Sequence, residues 1–403
     1  MLKPDYLDAL PYELLELLGR LEDSIAQDIA RRLVKAGQVT VTAGWQVDRM
    51  QEAGLLYDDI LQLVASYADA TDQQVKALFE DAGITSTESE IPLYKAAGFE
   101  ALPIRSSIAS MRILIAGMQK TAGQINNLTM TTAVGTQQTF IDAVTLAEMQ
   151  VERGMLDYNT AIRRAIATAI GHGTTVSYPS GHTDKLDVAA RRAILTGVNQ
   201  TMGEVSLQYA DEFGCDVMEI TAHAGARPSH AVWQGQLVSR SGQPGYLSLS
   251  DIGYGTGEGF MGWNCRHSWN PFFPGISVRA YTPEKLHALD ARRVTYNDRK
   301  YSDYDASQLQ RKMEREIRST KRKLVSLDAA RREAKSASLK GGLSQDFTTA
   351  SVKLKQQEAK LKDFLQQTKR LPESERVQVY GFGRSTAQKA VWANRKNAST
   401  NTN

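Results

Sequence analysis

The chain has 403 residues, of which 42% are hydrophobic and 23% are charged. At about 150 residues per domain, this length predicts two or three domains with a sizeable core. The most apolar stretch, 111–118, is far shorter than the roughly 18 residues that a membrane-spanning helix needs, so we expect no membrane association. The first residues lack the basic start of a secretory signal peptide, and Cys215 and Cys265 are too few for a disulfide framework.

The net charge of +3 conceals an uneven distribution along the chain. Residues 281–403 hold 27 Lys and Arg against 14 Asp and Glu, a net charge of +13, whereas the preceding residues have a net charge of −10. A basic segment joined to an acidic body is typical of a chain that contacts a polyanion or an acidic protein surface. A solvated helical face explains the pattern equally well, because many of the cations have acidic neighbours one turn away.

The hydrophobic pattern predicts helices in the first hundred residues. Apolar side chains from Leu14 to Leu33 recur at three- and four-residue spacing, which is typical of an amphipathic helix. Thr71 begins a sequence of the capping-box type, and Gly83 is a plausible stop. These signals predict a separate helix between the two residues.

In the centre of the chain, helical patterning occupies 105–170 and 186–213, and Gly214 is expected to end the second stretch. The strand formers at 174–178 and the turn sequence after them predict a short β-hairpin. A strand is predicted at 217–221. The fifty residues after it concentrate Gly, His and Trp, which indicates loops that carry function.

The last part of the chain predicts two long polar helices, at 301–340 and 345–368, with Gly341 and Gly342 between them. Because so few apolar residues can fill only a narrow seam, we expect a basic helical hairpin or one arm of a coiled coil. The whole chain is predicted to be α+β and predominantly α-helical. Three parts are predicted: an N-terminal helical region at 1–100, a central module with the hairpin and the Gly/Trp/His-rich loops at 101–280, and a basic helical tail at 281–403.

Four side chains in two loops of the central module are possible zinc ligands. Six residues separate His223 from His230, and one residue separates Cys265 from His267. Cys and His form tetrahedral zinc sites, but structural sites usually hold their ligands in pairs with two to five residues between them. The spacing therefore favours a hydrogen-bonded polar cluster without a cofactor, and leaves zinc as the alternative.

Three tryptophans lie in the same loops, at Trp233, Trp263 and Trp269. We expect their rings to form a small apolar core beneath the polar cluster. Together the two features predict a structural clip between the loops rather than a reactive centre.

A catalytic interpretation of this region is weaker. Cys265 and His230 could act as nucleophile and base, with Asp216 or Asp251 orienting the base. However, neither a nucleophile elbow nor a known cysteine signature is present. We therefore expect a protein that is not an enzyme.

The glycine-rich stretch 253–262 contains Gly257, Gly259 and Gly262 in the spacing of a dinucleotide fingerprint. Such a fingerprint must follow a strand and open a helix, whereas this stretch runs into Trp-Asn-Cys-Arg. A tightly turning glycine loop is the favoured interpretation.

The cations in 311–323 could follow a phosphate backbone by charge alone. They lack interleaved aromatic side chains, and no base-reading module is visible. Contact with double-stranded DNA is therefore expected to be independent of sequence and sensitive to salt. The candidate residues are Arg311, Lys312, Arg315, Arg318, Lys321, Arg322 and Lys323.

Three runs of sequence closely resemble the tailed-phage minor capsid proteins, the relatives of the Mu F head-morphogenesis proteins. They are HAGARPSHAVWQG at 223–235, GFMGWNCRH at 259–267 and PFFPG at 271–275. Similar runs at 187–192 and 301–318 extend the resemblance over about 100–325. The central module is therefore expected to be Mu F-like.

The resemblance implies a structural component of the virion head, assembled in the host cytoplasm and associated with the portal vertex. Its implied partners are the phage portal protein, other capsid proteins and packaged double-stranded DNA. The sequence leaves two alternatives open. One is a metal- or cysteine-dependent hydrolase that uses the His/Cys cluster, and the other is a DNA-binding internal head protein ejected with the genome.

Overall fold

The computed structural model describes residues 2–36, 43–172, 174–178, 180–291 and 293–400. This structure is 68% helical and its sheets are small and antiparallel, which confirms a predominantly α-helical α+β fold. The helices are α1 (Pro4–Ala9), α2 (Tyr12–Ala36), α3 (Ala43–Ala96), α4 (Ile108–Glu152), α5 (Tyr158–His172), α6 (Leu186–Glu212), α7 (Pro228–Ala231), α8 (Pro283–Asp290), α9 (Asp303–Glu333), α10 (Ala337–Thr368), α11 (Ser374–Val377) and α12 (Arg384–Thr400). The strands are β1 (Thr175–Ser177), β2 (Thr183–Lys185), β3 (Val217–Ile220), β4 (Leu237–Ser239), β5 (Trp269–Pro271), β6 (Arg293–Tyr296) and β7 (Arg299–Ser302). Among the described residues, no helix combines the length and the apolar character that crossing a bilayer requires.

The described residues form two compact units, each assembled from separate stretches of chain. Unit 1 comprises Met1–Leu15, Ala70–Asn126 and Ala190–Gln308. Unit 2 comprises Glu16–Asp69, Asn127–Ala189 and Leu309–Asn403. Each unit draws on all three parts predicted from the sequence, and the three-part division itself stays a prediction.

Unit 1 contains a three-stranded antiparallel sheet in the order β4-β3-β5. β3 is central and fully buried, with Val217 opposite Ser239 of β4 and Ile220 opposite Trp269 of β5. The chain enters β3 from α6, after Gly214 adopts a left-handed conformation with φ +62°. This confirms the predicted strand and the predicted end of the helix before it.

In unit 1, the first part of α4 and the residues of α6 from Ala190 onwards approach each other through small residues. A Cβ atom on Gly117 of α4 would lie 2.0 Å from Oγ1 of Thr201, and one on Gly197 of α6 would lie 2.1 Å from Oγ1 of Thr121. Each glycine therefore faces a threonine of the other helix, and no larger side chain fits without separating the helices.

Replacing Gly117 by Ala is expected to lower the free energy of unfolding by about 1–3 kcal/mol, because the added methyl group overpacks this contact. Gly123→Ala in the same helix is the matched control, since Gly123 has no atom within 4 Å of its Cβ position. The control is expected to be neutral or to stabilise by up to about 1 kcal/mol through helix propensity. Denaturant unfolding measures both variants, and equal midpoints would contradict the close contact.

Unit 2 contains the predicted β-hairpin and the predicted tail hairpin. β1 and β2 pair antiparallel, with Thr175 opposite Lys185 and Ser177 opposite Thr183. The tail helices α9 and α10 also run antiparallel, because Thr320 donates a hydrogen bond to Gln357 and Arg331 lies over the Phe347 ring. Both hairpins are therefore confirmed.

The turn of the tail hairpin lies at residues 334–336 and not at the predicted glycine pair. The Ser336 hydroxyl accepts a hydrogen bond from the backbone N–H of Leu339 and so caps α10. Gly342 lies inside the helix, where its missing side chain makes room for Arg163. That guanidinium binds Asp346 through two hydrogen bonds of 2.6 and 2.7 Å. The glycine therefore serves packing, and the expectation that it separates the helices was wrong.

The predicted separate helix between Thr71 and Gly83 was also wrong, since α3 runs through both positions. Thr71 is 3% exposed, so burial and not capping determines its environment. Gly83 lies beside Ile104 and Leu114, and its Cβ position would be 3.0 Å from the Ile104 side chain. Tertiary packing here overrides the local signals for a helix start and stop.

Candidate functional site

The candidate site lies in unit 1, where the loop after β3 meets the loop before β5. Two hydrogen bonds extend this contact beyond the strands: the backbone N–H of Thr221 donates to the Ser268 carbonyl at 2.8 Å, and the backbone N–H of Ser268 donates to the Thr221 hydroxyl at 2.9 Å. The short helix α7 follows the first of these loops and presents His230. His230, Cys265 and His267 are 1%, 2% and 1% exposed.

Three of the four predicted ligands converge. Nδ1 of His230 and Nδ1 of His267 are 3.4 Å apart, and Sγ of Cys265 lies 3.8 Å from the first and 3.6 Å from the second. Among the His, Cys, Asp and Glu side chains that the structure describes, these three form a group that could hold a metal ion, because their ligand atoms all lie within 4.8 Å of one another. His223 is outside the triangle, although its ring stacks on His267 with centroids 4.5 Å apart.

Hydrogen bonds determine which nitrogen of each ring faces the triangle. Nε2 of His230 lies 2.8 Å from the Glu258 carbonyl oxygen, which can only accept, so that nitrogen carries the proton. Nε2 of His267 lies 3.4 Å from Oε1 of Gln234. The Gln234 amide is itself oriented, because Oε1 accepts from the His223 backbone N–H and Nε2 donates to Asp290. Both rings therefore turn an unprotonated Nδ1 towards Cys265.

Burial keeps the cluster uncharged. It lowers the pKa of His230 to about 4 and the pKa of His267 well below its ordinary value, and it raises the pKa of the Cys265 thiol. The pKa of His223 is also lowered by burial. A reactive cysteine needs an exposed thiol with a depressed pKa, so the surroundings of Cys265 oppose a nucleophilic role.

The predicted orienting carboxylates contact other groups. Asp216 accepts hydrogen bonds from the Ser239 hydroxyl and the Ser241 backbone N–H, at 2.6 and 2.7 Å. Asp251 accepts from Ser248 in its own loop at 2.7 Å. His230 donates to the Glu258 carbonyl instead, so a nucleophile–base–acid triad is not assembled among these residues.

The glycine-rich stretch is a compact loop that supports the cluster. A Cβ atom on Gly259 would lie 2.0 Å from the Gly253 carbonyl oxygen, and one on Gly262 would lie 2.4 Å from the Gly257 carbonyl oxygen. Backbone approaches this close require glycine, which confirms a tightly turning loop. The loop places the Glu258 carbonyl against His230.

Two of the three tryptophans form the predicted core, and the third does not. Trp233 and Trp269 are 5% and 1% exposed, and both pack on Phe260. Trp263 is 54% exposed, so its predicted place in the core was wrong. Its ring covers Gly257 from the solvent side, because a Cβ on that glycine would lie 2.7 Å from it.

The predicted DNA-contact residues divide into two groups in unit 2. Arg318 pairs with the buried Asp187 at 2.5 Å, Arg322 pairs with the buried Glu22, and Lys321 donates to the Val377 carbonyl at 3.0 Å. Lys312 and Arg315 are exposed, and Arg311 and Lys323 are half-buried.

Several residues that shape the cluster carry no sequence signal. Asn199 of α6 donates hydrogen bonds to the carbonyl oxygens of Cys265 and His267, at 3.2 and 3.0 Å, and so fixes the loop before β5. Gln234 orients His267 and is 2% exposed. Both are amides that contact residues more than thirty positions away, so only the fold reveals them.

Comparison with known proteins identifies relatives over most of the chain. The family model described as "Phage minor capsid protein 2" matches residues 2–366. A curated protein of Lactococcus phage LL-H, named "Structural protein", is 22% identical over 303 residues, which cover 72% of this chain and 78% of that protein. No solved structure matches the chain.

Proposed function

The chain belongs to the phage minor capsid protein family, and from this premise we propose that it acts in head morphogenesis at or near the portal vertex. The observation that carries the proposal is the family match, which spans both compact units rather than a single motif. The related protein of Lactococcus phage LL-H is named a structural protein, which supports the structural part of this role. The chain is then a component of the virion, and the virion is assembled in the host cytoplasm.

The arrangement of the cluster supports a noncatalytic role. His230, Cys265 and His267 are buried together, and the pKa of the Cys265 thiol is raised rather than lowered. A hydrolase needs its reactive groups at a surface that substrate can reach. The cysteine-dependent form of the hydrolase alternative therefore has no support from these side chains.

Contacts with other capsid proteins require exposed surfaces that suit a partner. In unit 1, Ile108 and Ile115 lie seven residues apart on one face of α4 and are 73% and 42% exposed. Val278 is 90% exposed. Large apolar side chains of this kind are favourable to bury against another protein. They are consistent with a chain that packs against the portal protein and other head proteins.

Contact with packaged DNA is the part of the proposal that rests on charge. Lys312 and Arg315 are exposed on α9, whereas Arg318 and Arg322 pair with internal carboxylates. A sequence-independent contact would therefore use the first pair more than the second. An internal protein ejected with the genome would use the same side chains, and this alternative stays a prediction.

A knockout of the gene in the phage that encodes it tests the assembly role, with the wild-type gene supplied in trans as the control. We expect the knockout to yield few full, infectious heads, and complementation to restore them. The chain should also be detected in purified wild-type particles by mass spectrometry. Full infectious heads without the chain, or its absence from wild-type particles, would refute the role.

Cross-linking of purified particles tests the position. Cross-links between this chain and the portal protein are expected if it lies at the portal vertex. If cross-links formed only with the major capsid protein, at a yield that matches the copy number of that protein, the position at the portal vertex would be contradicted. The role in the head would not be affected.

A further inference from the structure

We propose that His230, Cys265 and His267 bind one zinc ion, through the two Nδ1 atoms and Sγ, and that the ion joins the loop after β3 to the loop before β5. The spacing in the sequence favours a metal-free cluster, whereas the geometry supports the metal. This inference is independent of the proposed function, because it concerns how unit 1 is held together.

The ligand triangle has the size that a zinc ion requires. A tetrahedral zinc ion with bonds of about 2.05 Å to nitrogen and about 2.3 Å to sulfur holds two nitrogen ligands about 3.4 Å apart, and a nitrogen and a sulfur about 3.6 Å apart. The observed separations are 3.4 Å between the nitrogens, and 3.6 and 3.8 Å from nitrogen to sulfur. The three atoms are therefore already at the corners of one face of a zinc tetrahedron.

The Nδ1 lone pairs of both histidines are directed into the ligand triangle. Each histidine directs its Nε2–H to an oxygen acceptor, the Glu258 carbonyl for His230 and the Gln234 amide for His267. Histidines that bind metals are usually oriented in this way, with the second ring nitrogen donating to a carbonyl or carboxylate. Two unprotonated Nδ1 atoms then face each other, and a single thiol proton can satisfy only one of them. A cation between the three atoms satisfies all of them.

The backbone around the ligands is fixed by contacts with other parts of unit 1. Arg266, between the two ligands of the second loop, extends to Asp8 at 2.5 Å, so Cys265 and His267 face the cluster from the same side of the chain. Asn199 fixes the carbonyl groups of both ligand residues. These contacts hold the donors in place, as a preorganised site requires.

The donor set indicates which metal binds. Two imidazoles and one thiolate suit zinc, whereas calcium and magnesium need oxygen ligands. On binding, the Cys265 thiol releases its proton to water and the sulfur coordinates as thiolate. A fourth donor would complete the tetrahedron. The same cluster offers His223, whose buried Nε2 has no hydrogen-bond partner among the described residues.

The test uses the untagged full-length chain, produced with zinc in the medium and passed through a metal-free sizing column. We expect inductively coupled plasma mass spectrometry to find about one zinc ion per chain. Cys265→Ala should reduce the zinc content at least tenfold. Cys215→Ala is the matched control, because Cys215 is also buried but contacts the carbonyls of Val217 and Phe272. Stoichiometric zinc in Cys265→Ala, or none in the folded wild type after zinc is supplied, would overturn the proposal.

Cobalt substitution of the wild type keeps the proposal testable if Cys265→Ala does not fold. Co²⁺ in this site should give a thiolate-to-metal charge-transfer band, together with the visible absorption of tetrahedral cobalt. Cys215→Ala should keep both. A cobalt-loaded wild type without the charge-transfer band would exclude Cys265 as a ligand and refute the assignment.

Discussion

Replacing Trp269 by Ala is expected to lower the free energy of unfolding by about 3–5 kcal/mol, because the ring fills the core of unit 1. Trp269 is 1% exposed and lies on β5 opposite Ile220. Its ring contacts Phe260 and Tyr254, with centroids 5.0 and 5.3 Å away. The strand backbone cannot collapse into the space that the substitution leaves, so the full cost of the cavity remains.

Trp263→Ala is the matched control for this substitution. It removes the same group from the same part of the chain, but the ring is 54% exposed and lies against Gly257. We expect it to lower the free energy of unfolding by less than about 1 kcal/mol. Chemical denaturation followed by far-ultraviolet circular dichroism compares the two variants. Equal shifts in the midpoint would mean that Trp269 has no greater packing role than Trp263.

The difference between these tryptophans shows why the core was only partly predictable. Both lie among strongly apolar or aromatic neighbours, and composition cannot separate them. Trp269 has a fixed direction because it belongs to a strand, whereas Trp263 precedes Asn264, whose backbone has φ +54°. A left-handed residue redirects the chain, so the direction of the preceding ring depends on the turn and not on the alternation of a strand.

Elements defined by local patterns were predicted well. The strand at β3, the end of α6 at Gly214 and the antiparallel tail helices follow from periodicity and from turn residues. The errors at Gly83 and Gly342 have a common cause. At both positions the glycine makes room for a side chain that is distant in sequence, so its role is determined by tertiary contact and not by the backbone of its own segment.

The candidate site was predicted in its composition but not in its geometry. The sequence places His230, Cys265 and His267 in two loops, and the pairing of β3 with β5 brings them together. His223 lies outside the triangle, and the ring orientations of His230 and His267 depend on Glu258 and Gln234. Because those contacts cross between loops, they could not be read from spacing.

The charge asymmetry along the chain also has an internal component. In unit 2, Arg318 and Arg322 of the basic tail pair with Asp187 and Glu22 of the acidic body. Part of the excess positive charge of the tail is therefore neutralised within the fold. The remaining exposed cations are the ones available to a polyanion.

Arg322→Met is expected to lower the free energy of unfolding by about 3–5 kcal/mol, because it leaves buried carboxylates without their cation. Glu22 is 0% exposed and Asp23 is 3% exposed, and the guanidinium contacts both. Lys76→Met is the control, since Lys76 is 64% exposed and reaches Glu80 at 3.9 Å on one helix surface. The control should cost at most about 0.5 kcal/mol.

The cost of Arg322→Met should also depend on pH. Burial raises the pKa of Glu22 to about 7 in the intact protein, and the opposing field of Arg322 limits that rise. Without the arginine, the pKa of Glu22 in the folded state rises further. At pH values between the unfolded pKa of Glu22, near 4.5, and this new folded pKa, the folded variant binds more protons than the unfolded chain. The intact protein shows the same loss of stability up to about pH 7, so the stability of the variant relative to the wild type falls as pH increases from about 7 towards the new folded value. The cost of the substitution should therefore be smaller at pH 5 than at pH 8.

A double-mutant cycle with Glu22→Gln separates this charge effect from lost packing. Gln keeps the shape of the side chain but removes the charge, so Arg322→Met should cost less in the Glu22→Gln background, and the dependence on pH should weaken. Asp23, Asp187, Arg318 and Lys185 also act on Glu22 or Arg322 and will retain part of the dependence. If the cost of Arg322→Met were the same in both backgrounds and at both pH values, the arginine would act through the packing of its stem, and the buried ion pair would not be the source of its contribution.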